Sequence, residues 1–471
     1  MKPTTIVYGN ADAPLMQKAI AALSEILLDY TGKYPSCVSY AEHTDYSQSR
    51  CIYIGTKQNN PYIAQHTQSS LSSAESYSIV IQNDTVIIEG FDDAGVLYGC
   101  LDFYNQYIIR FEFAHAKGWE SANYYWRNIF EAPLPDYACS AAPSVRHRGI
   151  WTWGHVIYNF RSFIDHMLKL KLNTLIIWND FVPVNAKEMI EYAHHCGIKV
   201  IWGFSWGWDT GCSSLSLTKL KEQSRSIFAK FREEYSALDI DGIYFQSITE
   251  MEDAYLEGVL VAEAVTDFVN CTAKPFFDWK PDLELQFGLH ATSVSSHLDF
   301  IQKVDPRIRI VWEDCGAFPF SYFPHDVENF AETKKFTADI AALRGADDKF
   351  GIVAKGMTKL DWQTFEHQDG SAFLGVSSKA WRKESVARKN RDWRYFQAYW
   401  LVHGRKALEM FQTLADSKNG DLYITALVED GMLEENIMFP VALYAEMLWN
   451  CHADISELIR SVALRDDTVF A

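Results

Sequence analysis

From Arg146 onward the sequence alternates short apolar runs with amphipathic stretches, and this alternation limits the folds open to it. The runs are His147–Trp153, Thr174–Trp178, Lys199–Phe204, Gly242–Ile248, Glu284–Leu289, Arg309–Trp312, Phe350–Ala354 and Tyr423–Val428. Each is short and rich in β-branched and aromatic residues, as strands are. Phe160–Lys171, Ala186–Cys196 and Leu217–Tyr235 lie between them with apolar residues at helical spacing. Strands that alternate with helices build a parallel sheet. Eight such units in about 300 residues fit one closed (β/α)₈ barrel. An open, doubly wound nucleotide fold would need a glycine-rich phosphate loop after the first strand, and the sequence has none there.

A chain of 471 residues has room for a second domain. Residues 1–125 read as a small α+β domain. Thr4–Tyr8 and Cys51–Ile54 are strands. Asp12 is placed to cap a helix with Pro14 in its first turn and Gly32 at its end. Tyr77–Gln82 and Thr85–Phe91 form a hairpin around Asn83-Asp84, and Asp92 or Asp93 caps the helix that follows. Pro133, Pro135 and Pro143 punctuate a stretch without periodicity, so 126–145 reads as a connection and 146–471 as the barrel.

The formal net charge of −18 argues against nucleic acid and anionic membranes as partners. No apolar run reaches the ~18 residues of a membrane span, and no basic segment followed by an apolar core opens the chain, so the expected location is cytoplasmic. Nine cysteines without metal-ligand spacing fit free thiols in a reducing compartment. No cofactor and no metal site is expected. A metal-dependent hydrolase would need closely spaced ligands after the first strand; His147 and His155 lack that spacing, and His194-His195 are neighbours on a helix. Oligomeric state is left open by the sequence.

Four stretches resemble known carbohydrate-active enzymes. GFDDAGVLYGCLDFYNQYI, from Gly90, resembles the end of the small domain that precedes the barrel in family 20 hexosaminidases and family 67 α-glucuronidases. HRGIWTWG and KLNTLIIWNDFVP resemble the first two barrel strands, and FPVALYAEMLWN the final barrel helix. The resemblance implies an exo-acting glycoside hydrolase in which Arg148 grips the sugar. Two positions depart from the hexosaminidase pattern. Trp153 stands where that family has aspartate, and both Trp153 and Asn179 look more like α-glucuronidases. Thr249 precedes Glu250 where hexosaminidases have the aspartate that orients the substrate's acetamido group, so a substrate-assisted mechanism is not expected.

Catalytic residues of such barrels sit at the C-terminal ends of the strands. Glycoside hydrolysis needs a protonated carboxyl for the leaving oxygen and a second group across the sugar ring. Glu250, after the fourth run, is the expected general acid. The second carboxylate is sought in Glu313 and Asp314 after the sixth run, of which only one can face the site, Glu313 being preferred. Glu252 and Asp253 read as a solvated rim, and Glu429-Asp430 end the eighth run. Sugars offer apolar C–H faces beside hydroxyl rims, so aromatic platforms are required. Trp151, Trp153, Trp178, Trp202, Trp206 and Trp208 crowd the first three strands, where aliphatics are usual. Asn179, Asp180, Asp209 and His290 are placed to bond hydroxyls. The competing expectation is a barrel that binds carbohydrate without cleaving it.

Overall fold

The computed structural model describes residues 2–471 apart from 43–48, 116–128, 208–214, 291, 314–318, 322–326, 360–371 and 429–431. The chain forms two compact units, one of Met1–Pro143 with His195–Gly197 and Ser456–Asp466, the other of Ser144–His194, Ile198–Ile455 and Asp467–Ala471.

The first unit is built on a six-stranded sheet of β1 (Thr4–Tyr8), β2 (Ser36–Ser39), β3 (Arg50–Gly55), β4 (Tyr77–Gln82), β5 (Thr85–Gly90) and β6 (Tyr137–Ala141), in the order β2-β1-β3-β5-β4-β6. The turn between β4 and β5 holds Asn83 and Asp84 at φ 51° and 66°, the left-handed conformation that a two-residue hairpin needs and that these two side chains tolerate. Asp92 caps the helix Asp93–Asp102 by accepting from the Gly95 amide at 2.8 Å. The helix Pro14–Thr31 is capped at Ala13 rather than Asp12, and Gly32 ends it in the left-handed conformation. β6 lies within the stretch expected to be a plain connection. It is a five-residue strand set between Pro135 and Pro143, and it pairs antiparallel with β4.

The second unit is a closed barrel of eight parallel strands: β7 (His147–Trp153), β8 (Thr174–Trp178), β9 (Lys199–Gly203), β10 (Gly242–Gln246), β13 (Glu284–Leu289), β14 (Ile308–Trp312), β15 (Phe350–Met357) and β16 (Leu422–Val428). A small hairpin, β11 (Tyr255–Leu256) and β12 (Val259–Leu260), follows β10. The barrel strands coincide with the eight apolar runs to within a few residues at their ends. Alternate residues face inward. Trp151, Trp153, Ile176, Trp178, Ile201, Tyr244, Val311, Val353 and Leu427 form one buried cluster inside it. Residues of the opposite parity pack outward: Trp206 stacks on Phe245 at 3.7 Å and on Phe276 of the helix Val261–Trp279 at 5.3 Å. No helix among the described residues is long and apolar enough to cross a membrane.

Candidate active site

The interior cluster ends in a polar layer at the C-terminal ends of β10, β13, β14 and β15. Alternation along β14 continues past Val311, so Glu313 points inward just beyond the strand. Its side chain is 3% exposed. One carboxyl oxygen accepts from the Tyr244 hydroxyl at 2.5 Å and the Gln246 amide at 2.6 Å, and the other meets Lys355 Nζ at 3.3 Å. Tyr244 and Gln246 share the inward parity of β10. Burial works to raise the Glu313 carboxyl, but the charges of Lys355 and His290 and the bonds from Tyr244 and Gln246 outweigh it and hold the carboxyl below the usual glutamate range. Glu313 is therefore a buried, ionised carboxylate.

One glycine makes room for this network, and a second follows its lysine. Gly288, between Tyr244 and Glu313, has no side chain because a Cβ there would stand 2.2 Å from the Tyr244 hydroxyl and 3.0 Å from the Glu313 carboxyl. Gly356, at φ 87°, lies where the register of β15 against β16 shifts, immediately after Lys355.

Glu250 closes a short 3₁₀ turn, Ile248–Glu250, at the end of β10, and its side chain is 39% exposed. His290 Nε2 lies 2.9 Å from Glu250 Oε1 and 3.6 Å from Glu313 Oε1, so one buried imidazole stands between the two carboxyl groups. Thr249 fixes that arrangement. Its hydroxyl accepts from the His290 amide at 3.2 Å, and its carbonyl accepts from the Ser293 hydroxyl at 2.9 Å. Thr249 thus ties the loop after β10 to the loop after β13. Beside Tyr244 stand Trp151 and Trp178, with ring centroids at 5.9 and 6.3 Å, and Trp153 crosses Trp151 edge-on at 4.8 Å.

Several expected residues are placed elsewhere. The Arg148 guanidinium, fully buried, donates to the carbonyls of Lys171, Val145 and Arg146 and lies over the Trp449 ring at 5.2 Å. It braces the loops that enter β7 and β8, so it does not serve as the sugar grip that the resemblance implies. Trp206 belongs to the outer core described above, and Trp202 donates to the Asn179 carbonyl at 3.0 Å; neither lines the interior. Asn179 shapes its own turn by donating to the Phe181 carbonyl at 2.6 Å, and Asp180 accepts from the Trp178 indole at 3.3 Å. Glu252 and Asp253 are exposed. Asp314, Trp208, Asp209, Glu429 and Asp430 lie outside the described residues. The sequence alone does not single out Tyr244, Gln246 and Lys355, although a lysine in the middle of an apolar barrel strand, GIVAKGM, is the kind of signal that marks a buried charge with a partner.

No protein-family model matches the chain, and no curated protein matches it. Its fold does match solved structures. A family GH115 4-O-methyl-α-glucuronidase, BtGH115A, with specificity for decorated arabinogalactans, superposes with a TM-score of 0.53 at 14% identity over 98% of this chain and 58% of its own. A GH138 enzyme targeting pectin rhamnogalacturonan II gives 0.52 at 12% identity over 97% of this chain and 65% of its own. CpGH84B gives 0.51 at 11% identity, covering 97% and 70%. The chain spans less than two thirds of the length of the first two. At these identities the likeness is one of fold, and the fold is the (β/α)₈ barrel expected from the sequence.

Proposed function

We propose that the protein is a glycoside hydrolase that removes a terminal sugar, with Glu250 as general acid. The observation that carries this reading is the pair of unlike carboxyl groups on either side of His290. Glu250 is open to solvent and bonded to the imidazole, so it can reach a bound glycosidic oxygen and pass a proton to it. Glu313 is closed in and held ionised by Lys355, Tyr244 and Gln246, so its negative charge is available to stabilise the positive charge that develops at the anomeric carbon. His290 positions Glu250 through Nε2. Trp153 and Trp178, both inward-facing, are the platforms for the sugar's C–H face.

The engagement of both Glu313 oxygens favours a second reading, a barrel that binds carbohydrate without turning it over. A panel of p-nitrophenyl glycosides and glucuronides separates the two. Release of nitrophenol from one member supports hydrolysis; saturable binding of the free sugars with no release from any glycoside supports the second reading.

A further inference from the structure

The helix Lys379–Ser417 has 39 residues, so at 1.5 Å per residue it spans about 58 Å, more than twice the length of a barrel strand. Its first turns are fastened on the side where the barrel strands end. The Ser377 amide donates to the carbonyl of Tyr158, in the loop that leaves β7, at 2.8 Å, and the amide of Phe160, which starts the next helix, donates to the Gly375 carbonyl at 3.1 Å. The Trp381 ring meets Tyr158 edge-on at 6.5 Å. Ser385, Trp393, Phe396 and Trp400 are the buried residues of this half of the helix. Trp381, Glu384, Arg388, Arg391 and Tyr395 recur at helical spacing along an exposed stripe, with Lys383 and Arg394 exposed along one side of it. Trp381 is 39% and Tyr395 45% exposed, and the Arg388 guanidinium lies over the Trp381 ring at 5.3 Å.

The charge of this stripe runs against that of the chain. Residues 379–394 hold seven Lys and Arg against two acids, Arg382 among them paired with Glu435 off the stripe, whereas the whole sequence has 43 against 61. Charges more than a Debye length away, about 8 Å at physiological ionic strength, are largely screened, so the local excess decides what approaches. Guanidinium groups bind carboxylates in two-pronged fashion, and flat exposed aromatics fit the C–H faces of sugars. We propose that this stripe is a docking surface for an anionic polysaccharide, a chain carrying uronate carboxylates, which it holds while one chain end reaches Glu250. The proposal rests on the glycosidase reading for its partner. A nucleic acid carries one charge per about 1.7 Å of duplex, whereas the more widely spaced carboxylates of a uronate chain suit a stripe of few cations and two aromatic faces.

The test is native affinity electrophoresis of the full chain in gels containing polygalacturonate or neutral galactan, with wild type beside the triple variant Arg388→Glu, Arg391→Glu, Arg394→Glu. Wild type should be retarded by polygalacturonate and not by galactan, and the triple variant should bind at least about tenfold more weakly, as expected for charge contacts. Its rate on a small aryl glycoside should be unchanged, since that substrate does not reach the stripe. The milder Arg→Gln triple, checked by circular dichroism, replaces the first variant if that one fails to fold. Absence of retardation, equal retardation of the triple variant, or an equally strong stripe-dependent capture of single-stranded DNA or anionic vesicles would overturn the proposal. Stripe-dependent retardation by polygalacturonate in a protein that cleaves no glycoside would support the docking surface while the hydrolase reading fails.

Discussion

Glu313 and Lys355, from the neighbouring strands β14 and β15, meet at 3.3 Å inside the barrel, and neither side chain is more than 3% exposed. Removing one partner of a buried pair leaves an uncompensated charge and costs on the order of 3–5 kcal/mol, whereas replacing both is far milder. Lys355→Met should therefore lower stability by that amount in urea denaturation. Lys355→Met combined with Glu313→Gln should recover most of it. A loss below about 1 kcal/mol for the single variant would mean that Tyr244 and Gln246 hold the carboxylate unaided.

Gly288→Ala tests the packing of the same network. The new methyl would collide with the Tyr244 hydroxyl at 2.2 Å, and Tyr244 cannot yield without breaking its bond to Glu313. Overpacking of this kind costs about 1–3 kcal/mol. Catalytic rate on aryl glycosides should fall along with stability. Unchanged values of both would show that Tyr244 has room to move.

Stability should depend on pH in opposite senses through two buried glutamates. Glu313 is held below the usual range, so its contribution is present above about pH 4.5 and is lost as pH falls through its lowered native value. Burial, reinforced by Glu435, pushes Glu434 up to about 7 against the bond that it accepts from the Tyr158 amide at 2.7 Å. Between about pH 4.5 and 7 the native state keeps a proton on Glu434 that the unfolded chain has lost. Stability should therefore fall with rising pH across that window, by roughly 3 kcal/mol in all. Glu434→Gln should remove this slope. Urea midpoints at pH 5 and pH 8 give the answer, and an unchanged slope in the variant would contradict the assignment.

The tryptophans divide into two kinds that truncation should separate. Trp206 is sandwiched between Phe245 and Phe276, and Trp206→Ala should cost about 3–5 kcal/mol of stability. Trp153→Ala should instead weaken binding of a monosaccharide inhibitor by on the order of 1 kcal/mol or more, the value of a lost stacking face. Isothermal titration beside thermal unfolding distinguishes the two, and a variant Trp153 with unaltered affinity would return that ring to the core.

The barrel was legible in the sequence because each strand is a distinct apolar run and the helices between them keep their own period, so His147–Trp153 and Thr174–Trp178 need no tertiary information to be found. Glu250 and His290 were legible as polar residues at strand ends. Proximity to a strand end does not fix the face: Trp206 has the parity of Trp202, one residue out of step with the inward-facing Ile201, and so packs outside the barrel. Arg148 was misplaced because the resemblance carried a role but not the carbonyls of Lys171 and Val145 that occupy its guanidinium. Lys355 and Tyr244 escaped notice because their importance lies in meeting Glu313, 42 and 69 residues away in sequence, which only the closed sheet determines. β6 was hidden by the prolines around it.

The most direct measurement compares Glu250→Gln with wild type on two substrates of the same sugar, one with a poor leaving group and one dinitrophenyl glycoside. The amide keeps the shape and the contact with His290 but has no proton to give. Hydrolysis of the poor-leaving-group substrate should fall by about 10² to 10⁴-fold, while the dinitrophenyl glycoside, which departs without protonation, should be far less affected and inhibitor binding should survive. Full activity of Glu250→Gln on the first substrate would contradict the account, because the proton would then come from another group.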